Sequence, residues 1–312
     1  MEKLKGLGIH ALILLLFIVI SFIYFSPVLK GDRLNAHDIK TWKGMSKEVQ
    51  DFREATGEEA LWTNSMFSGM PAYQISTKYK GNLIQYIHKA LSLGIPRPAS
   101  ILFLYLLGFY ILLLSLKVDW RLSAVGAIAF AFSSYFFIII QAGHMTKAHA
   151  IAYVPMVVAA VLYTYRGKMI LGGVLTSLTV ALEIYANHLQ ITYYLFLILI
   201  LIGFVQFLKD FRDNNLVSFS KRTVILLLAA LLASGTSLTR LVTTMEYGQE
   251  STRGQSELTA NMDNKTSGLD KDDATQWSYG IAETLTLLIP NFHGGASQGE
   301  LTTESETYQA IK

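Results

Sequence analysis

The sequence predicts an all-α polytopic membrane protein: a helical bundle of about seven transmembrane helices with a large first outer loop. Three observations lead there. The chain of 312 residues is 52% hydrophobic and only 16% charged, against roughly a quarter charged in soluble domains. Its mean hydropathy is +0.37. Its apolar residues fall in long runs rather than scattered clusters, as a bilayer demands.

The first run is 8–28. Lys3 and Lys5 precede about 20 apolar residues, long enough to cross a bilayer. The run exceeds the core of a cleaved signal peptide and has no A-x-A-like site, so it reads as a retained span. Further runs cover 99–116, 122–141, 148–165, 169–186, 189–208 and 223–240. The stretch from Met169 to Leu208 is about twice the length of one crossing. It must fold back at its polar break "ANHLQ" (186–190). The run from Leu122 to Tyr165 breaks likewise at "QAGHMTKAH" (141–149).

Positive residues set the orientation. With the N-terminus inside, the inner connections hold Lys117, Arg121, Arg166, Lys168, Lys209, Arg212, Lys221 and Arg222. The short outer hairpins hold only Lys147. Segment 29–98, both polar hairpins and the region from 241 onward are then outside. Domain 1–240 is the membrane bundle, and 241–312 is an outer region expected to continue into a longer protein.

The outer loop carries structure of its own. In "YKGNLIQYIHKALSLGI" (79–95), Leu83, Ile84, Ile87, Leu91 and Ile95 share one helical face. Such a helix is expected to lie flat in the membrane interface. Residues 43–55 read as a short polar helix, and "FSGMPAY" (67–73) as a turn. Residues 248–276, rich in Ser, Thr, Gly, Asn and Asp, read as a loop.

Composition also excludes classes. There are no cysteines, so thiol chemistry and cysteine-bound zinc are absent. The formal charge of +3 forms no basic stripe for nucleic acid. No H-E-x-x-H, G-x-S-x-G or P-loop motif occurs.

Polar groups beside the spans gather on the outer side. They are Asp38 and His37 in the first loop, then His144, Lys147 and His149 in the second, and Asn187, His188 and Gln190 in the third. Glu183 lies about a turn below the third hairpin, at i, i+4 from Asn187 if the helix continues. A carboxylate near histidines could hold a divalent cation or act as a general base. Lysine and histidines could hold a phosphate. Together they suit a lipid phosphate at the outer surface. Each residue also has a plain reading: Asp38 as a solvated loop residue, the histidines as interface markers, Lys147 as a snorkelling side chain, and Glu183 as a hydrogen-bonding group between helices.

Several stretches carry a family resemblance: "ALWTNSMFSGMPAY" (60–73), "AGHMTKAHAIAYVP" (142–155), "ANHLQITYY" (186–194) and "SYGIAETLTLLIPNFHGG" (278–295). In this order, after a first span and an early loop aspartate, the chain resembles the YfhO family of bacterial membrane proteins, within the GT-C superfamily of membrane glycosyltransferases. The resemblance implies a GT-C-like bundle in the bacterial inner membrane. It implies a polyprenyl-phosphate sugar donor and a glycan, lipid or protein acceptor of the cell envelope. Asp38 matches the family's first-loop acidic position, a base or metal ligand. His144, Lys147 and His149 would meet the lipid phosphate, with Glu183, Asn187, His188 and Gln190 in support. A divalent cation, Mg2+ or Mn2+, would take Asp38 and His144 as ligands. The loop lacks a D-x-D, since Ala36 and Lys40 flank Asp38, which favours a metal-free base. The competing readings are a transporter or flippase of lipid-linked glycans and a non-catalytic envelope assembly protein. A transporter should carry broken, charged helices at the midplane.

Overall fold

The computed structural model describes residues 2–251, 275–276, 278–289, 292–293, 303–304 and 306–312. Helices stand at all seven positions where the sequence places a span. Helix α1 (Glu2–Tyr24) is followed by α5 (Ala99–Ser115), α6 (Trp120–Ala131) and α7 (Ser134–Ala142). Then come α8 (Met145–Tyr165), α9 (Met169–Tyr185), α10 (Leu189–Arg212) and α11 (Leu216–Gly235). Four of these are long and apolar enough to cross a membrane alone, or five if α6 and α7 form one bent span. Helices α5 and α9 are apolar but 17 residues long. The chain is therefore membrane-embedded, and among the described residues its regular structure is almost all helix.

The order of burial follows from position. Helix α8 lies at the centre, with 61% of its apolar window covered by protein. It packs against α5 and α9, and α9 packs in turn against α11. Helix α5 is buried along Ile101 to Leu106. Helix α10 has only 6% of its window covered. Its exposed Phe196, Ile200, Phe204 and Val205 make sense against lipid tails.

Close packing explains why α8 and α9 form a tight pair. A Cβ on Gly172 would come within 2.8 Å of Thr164 Cα, so only glycine lets α9 start this near α8. The tight turn 166–168 joins them, with Gly167 N–H donating to Thr164 O. Polar residues stitch α1 to α5: His10 Nδ1 and Tyr110 OH share a 2.7 Å hydrogen bond, and Phe17 meets Tyr110 edge-on.

Several boundaries differ from the sequence reading. Helix α1 ends at Tyr24 rather than 28, because Pro27 near the start of a 3-10 turn (Ser26–Lys30) cannot continue its hydrogen-bond ladder. The run 122–141 is two helices bent by 45° at 132–133. The last span starts at Leu216, and a separate helix α12 (Leu238–Gly248) follows it. The loop expected over 248–276 falls mostly outside the described residues, as do Pro290 and Asn291 of the family-like tail. Short helical turns occupy Ala282–Leu287, and α13 spans Glu306–Ile311.

The first loop folds onto one end of the bundle, the end carrying turns 143–144 and 186–188. Two helices, α2 (His37–Met45) and α3 (Lys47–Thr56), replace the single polar helix expected over 43–55. A two-residue hairpin follows, β1 (Trp62–Thr63) with β2 (Met70–Pro71), antiparallel, Trp62 opposite Pro71. The Gly-Pro segment is thus a turn as expected, with Phe67 and Ser68 at positive φ. Charged side chains clamp this unit. Arg53 donates to both Glu59 oxygens at 2.8 and 2.7 Å and to Ser76 O at 2.7 Å. Those bonds from Arg53 are the main reason the Glu59 carboxyl lies below its ordinary range.

Helix α4 (Ile84–Leu91) carries the amphipathic pattern. Ile84 is buried, and Ile87, Leu91 and Ile95 pack against the bundle core. The face therefore covers protein rather than lipid. Leu83 departs from the expectation: it precedes the helix and is 69% exposed.

Candidate functional site

The start of α2 rests directly on the turn between α7 and α8. Gly143 ends α7 in the left-handed region at φ 97. A Cβ there would lie 2.9 Å from Ala36 Cβ and 3.2 Å from Asp38 Cβ. This contact brings two residues 106 positions apart together: His144 Nε2 lies 3.1 Å from Asp38 Oδ2. Both side chains are about half exposed, 43% and 48%. Asp38 also sits in the first turn of α2, where the helix's free N–H groups favour a negative charge.

The third hairpin adds His188, which immediately precedes α10. Burial holds this imidazole below its ordinary value, and the charges of Lys147 and His144 push it further down. Its Nδ1 is buried with no hydrogen-bond partner among the described residues. Asp38, in the first turn of α2, thus meets His144, which precedes α8, and His188 lies within electrostatic reach of His144 and of Lys147 in the first turn of α8.

His149 does not join that cluster. It is buried five residues beyond His144, with Nδ1–H donating to Met145 O at 2.7 Å. Its ring meets His88 of α4 edge-on, 5.1 Å between centroids. His88 Nδ1 in turn shares a 2.5 Å hydrogen bond with Tyr153 OH. The helical register separates the histidines, because i and i+5 on α8 point to different sides. Burial, then the nearby Arg97 charge, keeps His88 below its ordinary value.

The supporting polar residues divide as well. Helix α9 ends at Tyr185 and Asn187 turns to φ 60, so Glu183 and Asn187 do not share a helical face. The reason is the reversal itself: the chain must turn sharply to start α10 at Leu189. Glu183 is fully buried, and Oε1 accepts from Thr192 of α10 at 3.1 Å, pinning the two helices together. Gln190 is exposed and donates along its own helix to Tyr194 OH at 2.8 Å.

Asp38 and His144 offer one carboxylate and one imidazole, a sparse donor set for a divalent cation. Mg2+ wants about six oxygen-rich ligands, several from water, while Asp38 and His144 already face each other. Among the described residues no group of three His, Asp or Glu converges for a metal. No chemistry below is routed through one.

Beside the cluster opens a cleft of about 970 Å3. Its floor includes His149, Tyr153 and Tyr185; its walls come from 73–79, from 94–97 ahead of α5, and from Arg240 of α12. Trp42, one turn beyond Asp38 on α2, lines it too. Arg240 lies over the Tyr79 ring at 4.8 Å and donates to Tyr185 O at 3.1 Å. The sequence reading passed over Arg97 and Arg240. A faint signal existed: each is a cation flanking a span at its polar end. No family model, curated protein or solved structure matches the chain.

Proposed function

We propose that the protein is an integral membrane glycosyltransferase of GT-C type. It transfers a sugar from a polyprenyl-phosphate carrier to a cell-envelope acceptor at the outer face of a bacterial inner membrane. The observation carrying this reading is the 3.1 Å approach of His144 to Asp38. A half-exposed carboxylate oriented by an imidazole is the arrangement a general base needs.

In the proposed step, Asp38 takes the proton of the acceptor hydroxyl. That oxygen forms a bond to the anomeric carbon on the face opposite the carrier. The bond from the anomeric carbon to the carrier phosphate oxygen breaks, and its electron pair leaves with the polyprenyl phosphate. His144, whose Nε2 lies 3.1 Å from Asp38 Oδ2, holds the carboxylate in place. The Lys147 ammonium offsets the negative charge growing on the departing phosphate. Seven crossings with the N-terminus inside would put the cluster outside, consistent with the flanking charges.

Asp38→Asn tests the reading in a transfer assay with a radiolabelled polyprenyl-phosphate sugar. Activity should fall about 10²- to 10⁴-fold, with the unfolding midpoint retained. Unchanged activity would remove Asp38 as base. A wild-type protein that moves the intact lipid-linked sugar across vesicles without transferring it would favour the flippase, and one that does neither the assembly protein.

A further inference from the structure

The cleft beside the Asp38 cluster has a chemistry of its own. Arg97 is exposed, with no hydrogen-bond or ion-pair partner among the described residues, and it lines the cleft with Lys78, Lys89 and Arg240. Glu54 is the carboxylate among the lining residues, since the nearby Glu59 engages Arg53 instead. The cleft is therefore strongly cationic. Its three arginines, Arg53, Arg97 and Arg240, differ in availability: Arg53 commits Nε and Nη2 to Glu59 and Ser76 O, and Arg240 uses one N–H on Tyr185 O. Arg97 and the rest of Arg240 are free to bind an anion in the planar, two-pronged way guanidinium favours.

Two further observations point to a hydroxyl-bearing ligand. Gln74 Nε2 and Thr77 Oγ1, both in the cleft wall, are buried with no partner among the described residues. Both atoms are closed to solvent, so each side chain has to turn toward the cleft to meet a ligand's hydroxyl, and an unpartnered buried group gains a hydrogen bond by doing so. Trp42 and Tyr73 contribute aromatic surface on the α2 side. A sugar ring's C–H face packs against such surfaces while its hydroxyls reach the polar groups.

We infer that this cleft binds an anionic sugar, a pyranose bearing a phosphate or carboxylate, and that this sugar is the terminal unit of the acceptor. The anion is held by Arg97 and Arg240, and the hydroxyls by Gln74 and Thr77. The assignment of acceptor rests on the transferase reading, because Trp42 sets the cleft one helical turn from Asp38. The binding itself does not.

Titration calorimetry on the full chain in detergent tests it, with four probes: glucose 1-phosphate, glucuronate, glucose and inorganic phosphate. One of the two anionic sugars should bind at least tenfold more tightly than both glucose and inorganic phosphate, and which one identifies the anion. Arg97→Gln, at an exposed and unpaired position, should weaken that binding about 10- to 100-fold with the unfolding midpoint unchanged. Equal affinity for glucose, equal affinity for inorganic phosphate, or indifference to Arg97→Gln would each overturn the inference. A transfer assay on the same preparation separates the two claims. Sugar binding without transfer sinks the transferase alone, and transfer without anion-selective binding sinks the cleft assignment alone.

Discussion

The two ends of the bundle use charge in opposite ways. At one end Arg222 and Asp210 are buried, 9% and 4% exposed. Arg222 donates to Tyr165 O at 2.7 Å and to Asp210 Oδ2 at 3.4 Å, and Gln206 donates to the same oxygen at 2.8 Å. This network ties α8, α10 and α11 together. At the other end Asp38 and His144 are half exposed, His188 keeps a free ring nitrogen, and Arg97 has no partner among the described residues. Groups already satisfied hold helices together; groups left unsatisfied beside a cleft are available to something else. The comparison separates a structural from a chemical use of the same residue types.

The largest effect should come from the open end. Asp38→Asn is expected to abolish transfer as described above, and Asp38→Ala should leave the unfolding midpoint within a degree or two of wild type, because surface substitutions stay within about 0.5 kcal/mol. A large loss of stability would break the comparison, making Asp38 a structural residue like Asp210. At the closed end the expectation reverses. Asp210→Ala leaves a buried guanidinium with less compensation and should cost about 3–5 kcal/mol, read by thermal unfolding in detergent. If it costs no more than Asp38→Ala, the two ends are not distinct. Replacing both partners by apolar residues, Asp210→Leu with Arg222→Met, should cost clearly less than Asp210→Ala.

Next is packing between the ends. Gly172→Ala pushes a methyl against Thr164 and should destabilise by about 1–3 kcal/mol, again by thermal unfolding, with transfer activity at low temperature retained. The smallest effect is electrostatic. His88 is held below its ordinary value of 6.5 when folded. The unfolded chain therefore takes up its proton first as pH falls. Stability from neutral His88 is fully present above about pH 6.5 and is lost as pH drops through the folded value. Unfolding midpoints from pH 7.5 to 5 should fall, and His88→Gln should flatten that slope. Glu59 acts lower, its stabilisation by Arg53 present above about 4.5 and lost on further acidification.

Much of the bundle is legible in the sequence because a span advertises itself locally. Twenty apolar residues in a row need no partner to be recognised, and each expected run became helical, the run 122–141 as two helices. Boundaries went wrong where a distant contact or a single proline decided them, as at Pro27 and in the bend at 132–133. Part of the candidate site was legible too. Asp38, His144, Lys147 and His188 lie in or beside the polar breaks on the same side of the predicted spans, and the structure brings Asp38 against His144. His149 and Asn187 were misjudged for a different reason. Residues close in sequence look like neighbours, but helical register turns His149 inward, and the positive φ of Asn187 breaks the i, i+4 relation with Glu183. Arg97 and Arg240 could not be paired by reading, since 143 positions separate them and only the docking of α12 against residues 79–82 brings Arg240 to the cleft.

The sequence by itself determined that this chain is a helical membrane protein, where its helices lie, and that its polar groups collect toward one end. Those properties depend on hydropathy, which is summed over neighbours along the chain. Only the tertiary structure decided which polar groups meet: that Asp38 faces His144, that His149 turns to His88 instead, and that a cationic cleft opens beside them. These depend on a few close contacts, such as Gly143 against Ala36. Such contacts join residues distant in sequence, and they fix the direction of each side chain through the dihedral angles of single turn residues.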